Sequence, residues 1–101
     1  MNRGISRTEE ANIPKFNSHE EARAYFKDKY GDNFMMIAST IVDGIKLYFY
    51  DLILNKEAYI LMQEKKRQSP IMLDTSTITE EMFFSSQRIE IFENGNIHIL
   101  H

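Results

Sequence analysis

The pattern of apolar and polar positions first becomes regular in the segment SHEEARAYFKDKYG, residues 18–31. Its apolar positions recur at the spacing of one helix face: Ala22, Tyr25, Phe26 and Tyr30. Ser18 and Glu21 stand three residues apart, as in a capping box, and Gly31 suits the left-handed residue that often ends a helix. The pattern therefore predicts a helix over residues 18–30.

Residues 33–54 carry two β-rich runs on either side of Asp43-Gly44, a dipeptide typical of tight hairpin turns. A two-residue turn and a three-residue bulged turn both give acceptable patterns, so the register of this hairpin is open. Alternate residues of the second strand form two sets, one on each face. One set is Leu47, Phe49, Asp51 and Ile53, and the other is Lys46, Tyr48, Tyr50 and Leu52. The first set is the more apolar and is predicted to face the core.

The next segment, NKEAYILMQEKKRQSP, is predicted to form a second helix over residues 55–67. Asn55 is a good N-cap, the residues that follow are mostly strong helix formers, and Pro70 provides a stop. The alternative for this segment is a third strand of a β-meander.

The last two β-rich runs flank Asn94-Gly95, and the type of turn decides which side chains share a face. A two-residue turn mixes isoleucine with charged or polar groups on both faces. A type I turn followed by a left-handed Gly95, which is a G1 bulge, instead collects four isoleucines on one face. They are Ile89, Ile91, Ile97 and Ile99. Because a slip of one residue reverses a strand's faces, this pattern favours the bulged register, with Glu90 opposite His98 on the other face.

Together these segments predict an α+β fold. A mainly antiparallel sheet of four to five strands is built from the two hairpins, with two or three helices packed on one face. Residues 71–73 fit the extra strand. Thr77 and Glu80 again have the spacing of a capping box and fit the start of the extra helix.

The first part of the chain differs from the rest. Residues 1–17 show no period and are predicted to be a flexible N-terminal arm. Ile13 and Phe16 are the apolar side chains expected to dock this arm onto the domain. Residues 18–101 are predicted to form a single α+β domain, since their number is usual for one.

Composition limits the location and the chemistry of the protein. There are no cysteines, which excludes disulfides and zinc–thiolate sites and favours a reducing compartment. The N-terminus lacks the apolar stretch of a signal peptide, and no apolar run is long enough to cross a bilayer. We therefore expect a cytoplasmic protein with no membrane partner. Its richness in Ile, Lys, Asn and Glu resembles proteins of AT-rich bacteria or their phages.

No catalytic or cofactor-binding motif is present, and no cofactor is predicted. His98 and His101 stand at an odd offset on one strand, so they project from opposite faces and are not expected to hold one metal ion. The least expected residue is Asp51, which interrupts an apolar run on the face assigned to the core. Asp51 and the Glu90–His98 pair are candidate polar sites. Their ordinary explanations are a carboxylate at a strand end and a solvated surface pair.

Three functions are compatible with these features. The preferred one, reached by elimination, is a non-enzymatic accessory module that binds another protein or, through a sheet edge, a second copy of itself. Its candidate interaction face is the set Lys46, Tyr48, Tyr50 and Leu52, unless a helix covers the tyrosines. The first alternative uses the same face to bind single-stranded nucleic acid, although the net charge of -3 argues against it. The second is a small enzyme or ligand binder around a buried Asp51.

Overall fold

The computed structural model describes residues 4–68 and 84–101. Four strands in these residues form one antiparallel sheet in chain order, β1 (Phe34–Val42), β2 (Ile45–Ile53), β3 (Ser86–Phe92) and β4 (Ile97–Ile99). The helices are α1 (Arg7–Ala11), α2 (His19–Tyr30) and α3 (Lys56–Gln68), and a turn of 3-10 helix, Gly31–Asn33, joins α2 to β1. The predicted α+β fold is confirmed. The strand and helix predicted at residues 71–73 and from Thr77 lie outside the described residues.

Both predicted helices form where their capping residues indicate. The Ser18 hydroxyl accepts a hydrogen bond from the Glu21 backbone N–H at 3.2 Å and begins α2. The Asn55 side chain accepts from the Ala58 N–H at 3.1 Å and begins α3, so the alternative of a strand over this segment is wrong. Each cap satisfies a backbone donor that has no partner within the helix.

The first hairpin adopts the shorter of its two candidate turns. Val42 pairs with Ile45, and the two residues between them, Asp43 and Gly44, both have positive φ angles, 52° and 81°. Two positive φ angles are the signature of the type I′ turn, whose twist matches that of the strands. A β-bulge between Met36 and Ala38 then shifts the register further along β1.

The closing hairpin has the predicted bulged register. Ile89 pairs with Ile99, Glu90 with His98 and Ile91 with Ile97, and Gly95 has a φ of 95°. Three of the four isoleucines are buried in the core, and the fourth, Ile97, packs against it. The isoleucine pattern was therefore a sufficient guide to this register.

The prediction for the faces of β2 is wrong. The main core lies on the face of Tyr50 and Leu52, because Tyr50 pairs with Ile89 and so shares the isoleucine face of the sheet. The Phe34 and Tyr50 rings stack at a centroid distance of 4.3 Å, and Phe26 of α2 stacks on Phe34 at 5.1 Å. The two tyrosines made this face the less apolar of the two in the sequence. A tyrosine ring nevertheless buries as much apolar area as a phenylalanine if its hydroxyl has a hydrogen-bond partner.

The two longer helices contact different faces of the sheet. Phe26 of α2 packs with Tyr50, whereas the Tyr59 hydroxyl of α3 donates a hydrogen bond to Asp51 at 2.9 Å. Because adjacent residues of a strand point to opposite faces, packing of all helices on one face is not confirmed. Within the described residues, none of the helices has the length and apolarity needed to cross a membrane.

The N-terminal segment contacts the sheet along its described part. Ile5 is buried in the core, and the Gln87 side-chain amide accepts from the Ile5 N–H at 2.6 Å and donates to the Ile5 carbonyl at 3.0 Å. Ile13 and Phe16 pack against the core, as expected for the arm. The short helix α1 was not predicted, and the flexibility of residues 1–17 stays a prediction.

We expect Gly95→Ala to destabilise the fold more than Gly44→Ala. Both glycines have positive φ angles, but a Cβ at Gly95 would clash with the Phe16 carbonyl, whereas a Cβ at Gly44 meets open space. Urea denaturation should give a loss of about 3 kcal/mol for Gly95→Ala and about 1 kcal/mol for Gly44→Ala. Equal losses would contradict the docking of the Phe16 segment on the closing turn.

Candidate interaction surface

The face predicted to bind a partner is largely part of the core. Tyr50 is 0 % exposed and Leu52 is 2 % exposed, and both lie in the core cluster that includes Phe26 of α2. At the rim, the His19 ring of α2 stacks on Tyr48 with centroids 3.5 Å apart, and the Lys46 ammonium lies 5.1 Å from the Tyr48 ring. Only this rim reaches solvent, so the four residues do not form an open surface.

His19 and Tyr50 form the polar contact that lets a tyrosine occupy the core. The Tyr50 hydroxyl and His19 Nε2 are hydrogen-bonded at 2.6 Å. Burial, helped by the charge of Arg23, lowers the pKa of His19, and burial raises the pKa of Tyr50. At neutral pH the imidazole is therefore neutral and the phenol protonated, so the contact joins two uncharged groups.

Asp51 is buried, with an exposed fraction of 6 %. Its Oδ1 accepts a hydrogen bond from Arg88 Nε at 3.0 Å, and its Oδ2 accepts from the Tyr59 hydroxyl at 2.9 Å. Burial, together with the bond to Asp51, raises the pKa of Tyr59 to about 12. Each carboxylate oxygen has a partner, so this site joins β2, β3 and α3 through polar contacts.

The remaining candidate polar groups are separate from Asp51. His98 Nδ1 lies 3.0 Å from Glu90 Oε1, and the imidazole is exposed. His101 Nε2 instead contacts Glu10 of α1 at 2.7 Å. Among the described residues, the cavity beside Gly4 and Leu100 and the cavity beside Phe16 and Gly95 are not lined by Asp51, Glu90 or His98. In the described part of the chain, no three acidic or histidine side chains converge as metal ligands.

The exposed large apolar side chains of the described strands lie on β1 and at the start of β2. Apart from Phe34, every residue of β1 is exposed, on both faces of the sheet. Its large apolar side chains are uncovered: Met35, Met36, Ile37, Ile41 and Val42, with Ile45 just beyond the turn. Ile41 is 70 % exposed and Met36 is 55 % exposed. Contiguous apolar surface of this kind is typical of a site of association.

The backbone of β1 is also unprotected. β1 is an edge of the described sheet, so alternate N–H and C=O groups point away from β2. Proteins usually protect such edges with charged side chains or proline, and residues 33–42 contain neither. A single bulge interrupts the strand, whereas the opposite edge, β4, is only three residues long.

Sequence reasoning identified hairpin edges in general but did not single out β1, and two residues of its candidate face, Tyr50 and Leu52, are buried. The available signal was the run NFMMIASTIV, which combines high β-propensity with no charge. Two other contacts could not be predicted from the sequence, because each joins residues that are far apart in the chain. Arg88 stands 37 residues from Asp51, and His19 stands 31 residues from Tyr50.

We expect Tyr59→Phe to lower the free energy of unfolding by about 2 kcal/mol, since it removes a hydrogen bond to a buried carboxylate. Tyr25→Phe is the matched control, because within the described residues the Tyr25 hydroxyl makes no hydrogen bond, and it should change stability by less than about 0.5 kcal/mol. Chemical denaturation measures both. Equal effects would mean that the Tyr59–Asp51 bond contributes nothing.

The lowered pKa of His19 predicts a dependence of stability on pH. The folded protein takes up a proton at His19 less readily than the unfolded chain, whose histidine has the ordinary pKa of 6.5. Stability is therefore highest above that value and falls as the pH is lowered through it. Unfolding free energies from about pH 7.5 to about pH 5.5 should fall less steeply in His19→Gln than in the native chain. An unchanged slope would contradict the assignment to His19.

Two features of this geometry bear on function. The candidate polar residues have partners within the fold, whereas β1 is an edge of the described sheet and its large apolar side chains are exposed. The chain matches no protein-family model, no curated protein and no solved structure with which it was compared.

Proposed function

We propose that the protein is a small non-enzymatic interaction module that binds another polypeptide by strand addition at β1. The observation that carries this proposal is the long, uncharged edge strand that is apolar on both faces. In strand addition, the unpaired backbone groups of the edge supply affinity and the alternating side chains supply specificity. A bound strand would contact Ile41 on one face and Val42 on the other.

The two alternative functions have less support. A stacking platform for nucleic acid needs open aromatic rings, but Tyr50 is buried and His19 covers one face of Tyr48. A small enzyme around Asp51 needs a reactive carboxylate, and both oxygens of Asp51 are hydrogen-bonded. The absence of cysteine fits a cytoplasmic accessory factor of a bacterium or phage, which completes the proposal.

Site-specific photo-cross-linking tests the proposal in cells that produce the full chain. A benzophenone amino acid at Met36, which is exposed on β1, should give adducts whose cross-linked peptides include β1. The matched control carries the same group at Asp28, which is exposed on α2, and should give no such adduct. The proposal is wrong if both positions yield the same adducts or neither yields any.

A companion variant tests whether the edge itself is used. Ile41→Lys introduces a charge of the kind that protects natural edge strands, at a position whose exposure leaves the core intact. We expect this substitution to abolish the adducts from position 36 without changing the circular dichroism spectrum. Adducts that survive the substitution would place the contact elsewhere.

A further inference from the structure

We infer that the polypeptide bound at β1 is a second copy of this chain, paired antiparallel across a two-fold axis at Thr40. This inference rests on the proposed function and names its partner. The two sheets would then join edge to edge into one continuous sheet. The reasons lie in the backbone directions, the register and the charge of β1.

The hairpin turn determines which backbone groups of β1 are free. Val42 and Ile45 flank a two-residue turn, so the N–H and C=O of Val42 point toward β2. By alternation Thr40 does the same, whereas Ser39 and Ile41 direct their N–H and C=O groups away from the sheet. A two-fold axis at Thr40 places Ser39 of one copy opposite Ile41 of the other. Both pairs so formed can exchange backbone hydrogen bonds.

The register follows from the limits of the regular strand. The bulge lies between Met36 and Ala38, and the turn begins at Asp43, so the longest regular stretch of β1 is residues 38–42. An axis at Thr40 pairs this whole segment with its copy. An axis at Ser39 or Ile41 also satisfies the alternation but pairs a shorter stretch. The axis at Thr40 therefore gives the longest ladder.

The side chains of β1 are compatible with self-pairing. Residues 33–42 carry no charge, so two identical strands meet without like-charge repulsion. Thr40 would face its own copy, which is a favourable cross-strand pair, and Ala38 would face Val42 on the same side of the sheet. A partner selected by charge would require charged residues on the strand. The described opposite edge is the three-residue β4, so this pairing closes as a dimer rather than extending into a fibre.

A single cysteine tests this geometry, because the chain contains none of its own. At the axis, Thr40 and its copy form a non-hydrogen-bonded pair with Cα atoms about 4.5 Å apart, which a disulfide can span. Thr40→Cys should therefore give a disulfide-linked dimer under mild oxidation. Asp28→Cys, exposed on α2, is the matched control and should give no disulfide-linked dimer. Equal cross-linking of the two variants would overturn the inference.

Sedimentation of the purified full chain provides the independent measurement. We expect a dimer whose dissociation constant rises at least about tenfold in Ile41→Lys. A dimer that Ile41→Lys leaves unchanged would overturn the inference, as would a monomer throughout the micromolar range. If the chain is monomeric and position 36 still forms adducts with a different protein, the partner is wrong and strand addition stands. If the adducts are also absent, both proposals fail.

Discussion

The stacking of Phe34 on Tyr50 beneath Phe26 of α2 is the contact on which the other surfaces of the protein depend. Because of this stack, one face of β2 is buried in the core and α2 packs on that face. The hydroxyl of Tyr50 then needs a partner inside the protein, and His19 in the first turn of α2 supplies it. Of β1, only Phe34 belongs to this stack and is buried, and the rest of the strand is exposed.

The burial of this face of β2 also determines the surroundings of Asp51. Its neighbour Tyr50 faces the main core, so Asp51 faces the other side of the sheet, where α3 supplies the Tyr59 hydroxyl and β3 supplies Arg88. Removing a carboxylate from water is costly unless it is paired and hydrogen-bonded, and here it is both. What looks anomalous in the sequence is a polar connection between a strand, its neighbour and a helix. The Arg88 guanidinium also lies 5.9 Å from the Phe49 ring centroid, which adds a cation–π contact to the ion pair.

The parts of the fold that the sequence predicted are those determined by neighbouring residues. Ser18 and Asn55 begin helices through contacts three residues away, and Gly95 sets the register of the closing hairpin through its turn. The face of β2 was not predictable in this way, because it depends on pairing with Ile89, which stands far along the chain. The partner of Asp51 and the burial of Tyr50 likewise depend on tertiary contacts. The candidate sites were predicted from single residues, and in the structure those residues make polar contacts within the fold. The exposed edge is instead a property of a whole strand.

The Gln87 amide pairs with both backbone groups of Ile5 and also donates to the Leu100 carbonyl, while His101 contacts Glu10. Gln87 on β3 therefore joins two segments from opposite ends of the fold, one before the first strand and one after the last. This one side chain acts as a non-covalent cross-link between them. Its removal would take these hydrogen bonds from the Ile5 backbone and from the Leu100 carbonyl at the same time.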